Sequence, residues 1–172
     1  MKHRLWHPFM DPYHCCFRLI SSLSVIEDKA MALDRARFLD LFVLFPGLLY
    51  KLSLSQQQKI SLGKIGVART ATYFATLPDL KILYRRLRSN QRAAISQMIA
   101  TEVIDVDEFR DDKIKLNLEK LPSEVLTRAK ARASRNIELF EFLHVDLAEY
   151  EFNGPGGLLD RAGIYGGTNV TS

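Results

Sequence analysis

Along the chain, apolar positions recur mainly at three- and four-residue intervals, which predicts a largely helical protein. Asp11 followed by Pro12 supplies an N-cap and the residue best tolerated at the first helical position, so a helix is expected to start there. Phe17, Ile20 and Leu23, with Cys16 and Leu19 beside them, carry its apolar side to about Glu27. A second helix is predicted over 34–45, with Phe38, Leu41, Phe42 and Phe45 on one face, and Pro46 and Gly47 end or kink it. Over 53–78 the pattern weakens: residues 55–58 are polar and Gly63 and Gly66 interrupt, so a long, partly helical connection is expected.

Asp79 is positioned to cap a helix in which Leu80, Leu83, Tyr84 and Leu87 share a face, and the period repeats at Ala94, Ile95, Met98 and Ile99. Ser89 and Asn90 lie between the two sets, so the reading is two short helices joined by a tight polar turn. Residues 102–106 read as a strand. Ile114, Leu116 and Leu118, alternating with Lys113, Lys115 and Asn117, read as its hairpin partner across the charged run 107–112. Helix, helix, hairpin is the order of a winged helix-turn-helix domain. The fold class expected is therefore mainly α with a small β-hairpin, a winged helix-turn-helix-like single domain.

Pro122 and Ser123 open a last long helix, in which Leu126, Ala129, Ala133, Ile137 and Phe140 share a face and Arg128, Arg132 and Arg135 cluster on the solvent side. Beyond Leu147 the composition changes, and the glycines from Gly154 to Gly167 disfavour a helix. The expected organisation is a helical domain over 1–152 and a Gly-rich C-terminal tail over 153–172, mobile when the chain is alone.

Composition narrows the class. With 172 residues, 47% of them hydrophobic, the chain can bury one substantial core, and it is neither disordered nor membrane-like in balance. The longest uncharged apolar stretch, 41–50, is too short to span a bilayer and contains Pro46 and Gly47. The start of the chain, with Lys2 and Arg4 but also His7, Pro8 and Asp11, is read as mature sequence rather than a leader. The only cysteines, Cys15 and Cys16, are adjacent and cannot staple a core, so a reducing, cytoplasmic setting is expected.

A net charge of +4 conceals opposed blocks. Residues 79–100 carry five bases and one acid, 101–124 eight acids and four bases, 125–135 four bases and no acid, and 136–160 six acids and no base. Arg85, Arg86, Arg88 and Arg92 fall around the predicted turn, where phosphate contacts would be useful, and with Arg128, Arg132 and Arg135 they are the candidate nucleic-acid-binding residues. An acidic wing beside them would repel a duplex, which favours protein partners of complementary charge.

The catalytic alternatives are thin. His3, His7, Asp11 and His14 form the only dense set of potential metal ligands, but Asp11 is explained as a cap and no further cluster completes a closed site. Neither cysteine has a base and an orienter assigned to it, and the glycines at 63 and 66 lack P-loop spacing. No metal, cofactor or catalytic residue is expected. A stand-alone winged-helix DNA-binding transcription regulator is the alternative function, and a small metal-dependent hydrolase using His7, Asp11 and His14 the third.

The stretch Trp6-His7-Pro8-Phe9-Met10-Asp11-Pro12-Tyr13-His14-Cys15-Cys16-Phe17-Arg18, followed by an aromatic helix ending Leu44-Phe45-Pro46, resembles the middle components of bacterial ABC-three-component conflict systems, most closely the fifth type. Leu77-Pro78-Asp79 with Gln91 and Ala94 is similar to middle components generally, and the Lamassu antiphage systems are relatives of this arrangement. The resemblance implies a non-catalytic, winged helix-turn-helix-like accessory subunit. It would join an SMC- or Rad50-like ABC ATPase to an effector nuclease in a cytoplasmic hetero-oligomer that meets DNA through the complex. It assigns Trp6, His7, Asp11, Tyr13, His14 and Arg18 to fold integrity or partner docking, and nothing in it matches the Gly-rich end.

Overall fold

The Asp11 carboxylate accepts the backbone N–H of Tyr13 at 2.9 Å, and with Pro12 at the first helical position it starts α1 (Pro12–Leu23). This is a computed structural model, and it describes residues 11–69 and 79–164. A two-residue strand β1 (Met31–Ala32) leads into α2 (Leu33–Leu44), which ends as expected where Pro46 begins a 3-10 turn (Pro46–Lys51). α3 (Gln56–Lys64) opens on a reciprocal capping box between Ser55 and Gln58, so part of the weakly patterned connection is helical. Residues 70–78, the rest of that connection, lie outside the described residues.

The predicted turn at Ser89 and Asn90 is not formed. α4 (Leu80–Ala100) is one continuous helix of 21 residues, started by Asp79, which accepts from the N–H groups of Lys81 and Ile82. Leu80, Leu83, Leu87, Gln91, Ala94, Ile95 and Met98 are all buried on one stripe, and that stripe runs through Ser89 and Asn90 without a change of phase. Two polar residues off the buried stripe, Ser89 exposed and Asn90 half-buried, do not end a helix whose buried side continues, so tertiary packing outweighs their turn preference.

The predicted hairpin is also reorganised. Asp105 accepts from the N–H groups of Asp107 and Glu108 and starts a short helix, α5 (Val106–Arg110), inside what was read as strand and acidic loop. Two carboxylates in that first turn favour the helix N-terminus. Only Ile104 bridges Leu116. The following strand, β2 (Lys113–Ile114), pairs antiparallel with β1, Met31 opposite Ile114 and Ala32 opposite Lys113. Among the described residues the protein is mainly helical with this one small sheet, and the helix-turn-helix-wing order is not formed.

The last predicted helix is two: α6 (Ser123–Arg135) and α7 (Ile137–His144), broken at Asn136, whose φ of −126° is not helical. The break takes Ile137 off the buried face and leaves it 40% exposed, whereas Ala129, Ala133 and Phe140 are buried as predicted.

Two apolar clusters form the interior. One surrounds Phe38, Leu41 and Phe42 of α2, the 3-10 turn, the first half of α4 and the Phe140–Leu143 side of α7. The other joins α1 to the second half of α4, to Ile104, Ile114 and Leu116, and to Ala129. α4 therefore contributes Leu80, Leu83 and Leu87 to one cluster and Ala94, Ile95 and Met98 to the other, with Gln91 between them.

The Gly-rich segment is packed through Ile164, against the expectation of a mobile tail from 153. Leu158, in the four-residue α8 (Leu158–Arg161), is fully buried in the first cluster. Arg161 stacks on the Tyr150 ring at 3.9 Å and donates to the carbonyls of Gly156 and Ser53. A methyl group on Gly157 would meet the Asn153 carbonyl oxygen at 2.5 Å. Gly157→Ala is expected to lower stability by about 1–3 kcal/mol, read as a lower urea midpoint, because backbone rather than a movable side chain has to give way.

Candidate functional site

At the crossing of α1, α2 and α4 lies a buried polar network. The Arg18 guanidinium, with no exposed surface, grips Asp40 as a fork: Nε to Oδ1 at 2.7 Å and Nη2 to Oδ2 at 3.0 Å. Gln91 donates from Nε2 to Asp40 Oδ2 and to the Arg37 carbonyl, each at 2.9 Å. The Cys15 thiol donates to the same Asp40 Oδ2 at 3.7 Å, and burial, with that carboxylate beside it, pushes the thiol pKa well up and disfavours the thiolate. His14 Nδ1 sits 2.8 Å from Arg18 Nη1; burial first and then the Arg18 charge hold the imidazole pKa below its usual value. A neutral ring accepting from the guanidinium fits both facts.

The network reaches the surface through Arg37. Its Nε points at Gln91 Oε1 (3.4 Å), its Nη1 meets Asp34 Oδ1 (3.0 Å), and its side chain lines a cleft of about 430 Å3 between α4, the start of α2 and α5. Arg88 and Arg92 line the same cleft from α4, with Ser96 beyond them. Leu33, Ile95, Ile99 and Phe109 supply apolar lining. The volume suits a small molecule or a few side chains of a partner.

Of the seven arginines proposed for nucleic acid, only Arg88 and Arg92 line this cleft. Arg85 and Arg86 are exposed on α4. Those of α6 do not join them. Arg128 is exposed and paired with Glu124 at 2.7 Å, and Arg135 is exposed at the helix end. Arg132 corrects the expectation of a solvent-side cluster: it is half-buried over the Phe17 ring at 5.7 Å, close enough to Arg18 for that charge to act on it.

The proposed docking residues divide as well. Trp6 and His7 lie outside the described residues. Asp11 is the α1 cap, Tyr13 is 75% exposed, and His14 is engaged by Arg18. Arg18 faces the interior and has no exposed surface. Among the described residues no group of three or more His, Cys, Asp or Glu could hold a metal ion. None has a helix long and apolar enough to cross a membrane. The sequence reading gave no site role to Asp40, Arg37 or Gln91, the last named only in the family resemblance; the available signal was a carboxylate between Leu39 and Leu41 and an amide on the apolar stripe of α4.

Among the described residues the structure is a mainly helical scaffold with one small sheet, a buried ion pair and a basic cleft. The chain belongs to the ABC-three component (ABC-3C) system Middle Component 5 family, whose model matches residues 4–166. A middle component of a three-component ABC system has protein partners by that description. No curated protein and no solved structure matches the chain.

Proposed function

We propose that this chain is a non-enzymatic accessory subunit that links an SMC- or Rad50-like ABC ATPase to an effector nuclease in a bacterial defence complex, with DNA engaged through the assembly. The observation that carries the reading is the family match over residues 4–166. Two features support it: the charge is segregated into blocks that suit partners of complementary charge, and the basic cleft presents arginines beside apolar surface. Charged residues of both kinds set association rate and partner choice more than raw affinity, which suits an adaptor.

The test is co-expression with the ATPase and the third component of its own system. A stable complex is expected by size exclusion, with nuclease activity that depends on this chain. A chain that elutes alone in the presence of both would overturn the proposal.

A further inference from the structure

The arginines of α4 are arranged, not scattered. At about 100° per residue, Arg85, Arg88 and Arg92 fall within about 60° of one another, a row about 10 Å long. Ser96 and Ile99 continue this side of the helix, Ile95 lies at its buried edge, and these three line the cleft with Arg88 and Arg92. Arg86 stands about 100° around the helix from Arg85. No described carboxylate forms an ion pair with Arg85, Arg88 or Arg92, whereas Arg37, Arg110 and Arg128 each have one. One helix thus presents a positive row without an ion-pair partner that runs into a cleft of mixed arginine and apolar lining.

We infer that this cleft receives an acidic, apolar-anchored peptide segment of a partner subunit, its carboxylates on Arg85, Arg88 and Arg92 and one aliphatic or aromatic side chain against Ile95, Ile99 and Phe109. This inference rests on the accessory-subunit reading and names the partner chemistry of its surface. Charge complementarity selects the occupant, and the apolar lining separates a peptide from a duplex. Phosphates need the arginines alone and would leave that lining uncovered. A duplex laid along the row also meets α5, which borders the cleft through Phe109 and carries Asp107 and Glu108. A narrow peptide can place its carboxylates on α4 and keep clear of α5.

The experiment titrates labelled chain against the purified ATPase and third component, singly and together, for wild type, R88E/R92E, S96W and R86E, with thermal melts as a check of folding. Ser96 is exposed, so a tryptophan there fills the cleft without entering the core. R88E/R92E and S96W are each expected to weaken binding by about tenfold, and R86E by no more than about twofold. The loss in R88E/R92E is expected to lie mainly in the association rate and to shrink at high salt. A photo-crosslinker at Ser96 in the wild-type complex is expected to mark an acidic stretch of one partner. Binding of wild-type strength by R88E/R92E and S96W, or crosslinks from Ser96 to nucleic acid, would overturn the inference while leaving the accessory role standing. Absence of any wild-type complex would remove the accessory role and the inference together.

Discussion

Asp40→Asn is expected to destabilise the protein by about 3–5 kcal/mol, the usual cost of removing one member of a buried ion pair. Arg18 is fully buried and Asp40 is 1% exposed, so water cannot replace the lost carboxylate. The substitution keeps the size and shape of the side chain and removes only the charge, leaving the guanidinium to face a neutral amide. The His14 ring beside Arg18 has its pKa held down and brings no negative charge to replace the carboxylate. The damage should spread, because Asp40 also receives Gln91, which ties α4 to the Arg37 carbonyl of α2.

The paired replacement Arg18→Met with Asp40→Leu is the informative companion. It removes both charges and fills the space with apolar side chains, so most of the lost stability is expected to return. Gln91 keeps the Arg37 carbonyl as a partner in that variant. Denaturant unfolding of Arg18→Met, Asp40→Leu and the double, each against the wild type, gives the coupling. A loss under about 1 kcal/mol in Asp40→Asn would show that Arg18 finds other compensation.

Much of the helical architecture is legible in the sequence because the apolar period and the caps agree. Asp11 with Pro12, the stop at Pro46 and the cap at Asp79 each combine a local hydrogen-bonding preference with the start or end of an apolar stripe. The reading fails where the two signals conflict. Ser89 and Asn90 have turn chemistry, but the buried stripe from Leu80 to Met98 keeps its phase across them and the helix continues. At 105–112 the end of a strand and a charged loop were expected, whereas the Asp105 cap and the acidic first turn make a helix. The strand partner of Ile114 proved to be Met31, more than eighty residues away, and no local pattern announces such a pairing. The site is legible only in part for the same reason. Charge clustering points to Arg88 and Arg92, yet the cleft depends on Leu33, Arg37 and Phe109, which only the fold brings beside them.

Acidification is expected to destabilise the fold through His144. Its Nε2 lies 2.9 Å from Ser22 Oγ, joining the end of α7 to α1, and its Nδ1 is buried with no hydrogen-bond partner. Burial pushes the imidazole pKa down to about 4; the Ser22 backbone opposes this and the Arg35 charge adds to it. The unfolded chain titrates this group near its ordinary value of 6.5, so between these values the unfolded state binds a proton that the folded state refuses. Stability from His144 is therefore complete above about pH 6.5 and falls as the pH drops toward 4, by about 3 kcal/mol in all. His14, whose pKa is also lowered, acts in the same direction. Unfolding midpoints measured from about pH 7.5 to about pH 4.5 should fall steadily in the wild type, and His144→Gln should flatten that fall. Glutamine still reaches a hydroxyl but has nothing to titrate. Hydrogen exchange should locate the first loosening at the α1–α7 contact, since protonation there costs most when the two helices stay closed. An acid limb unchanged in His144→Gln would move the sensitivity to His14 and the Arg18 network.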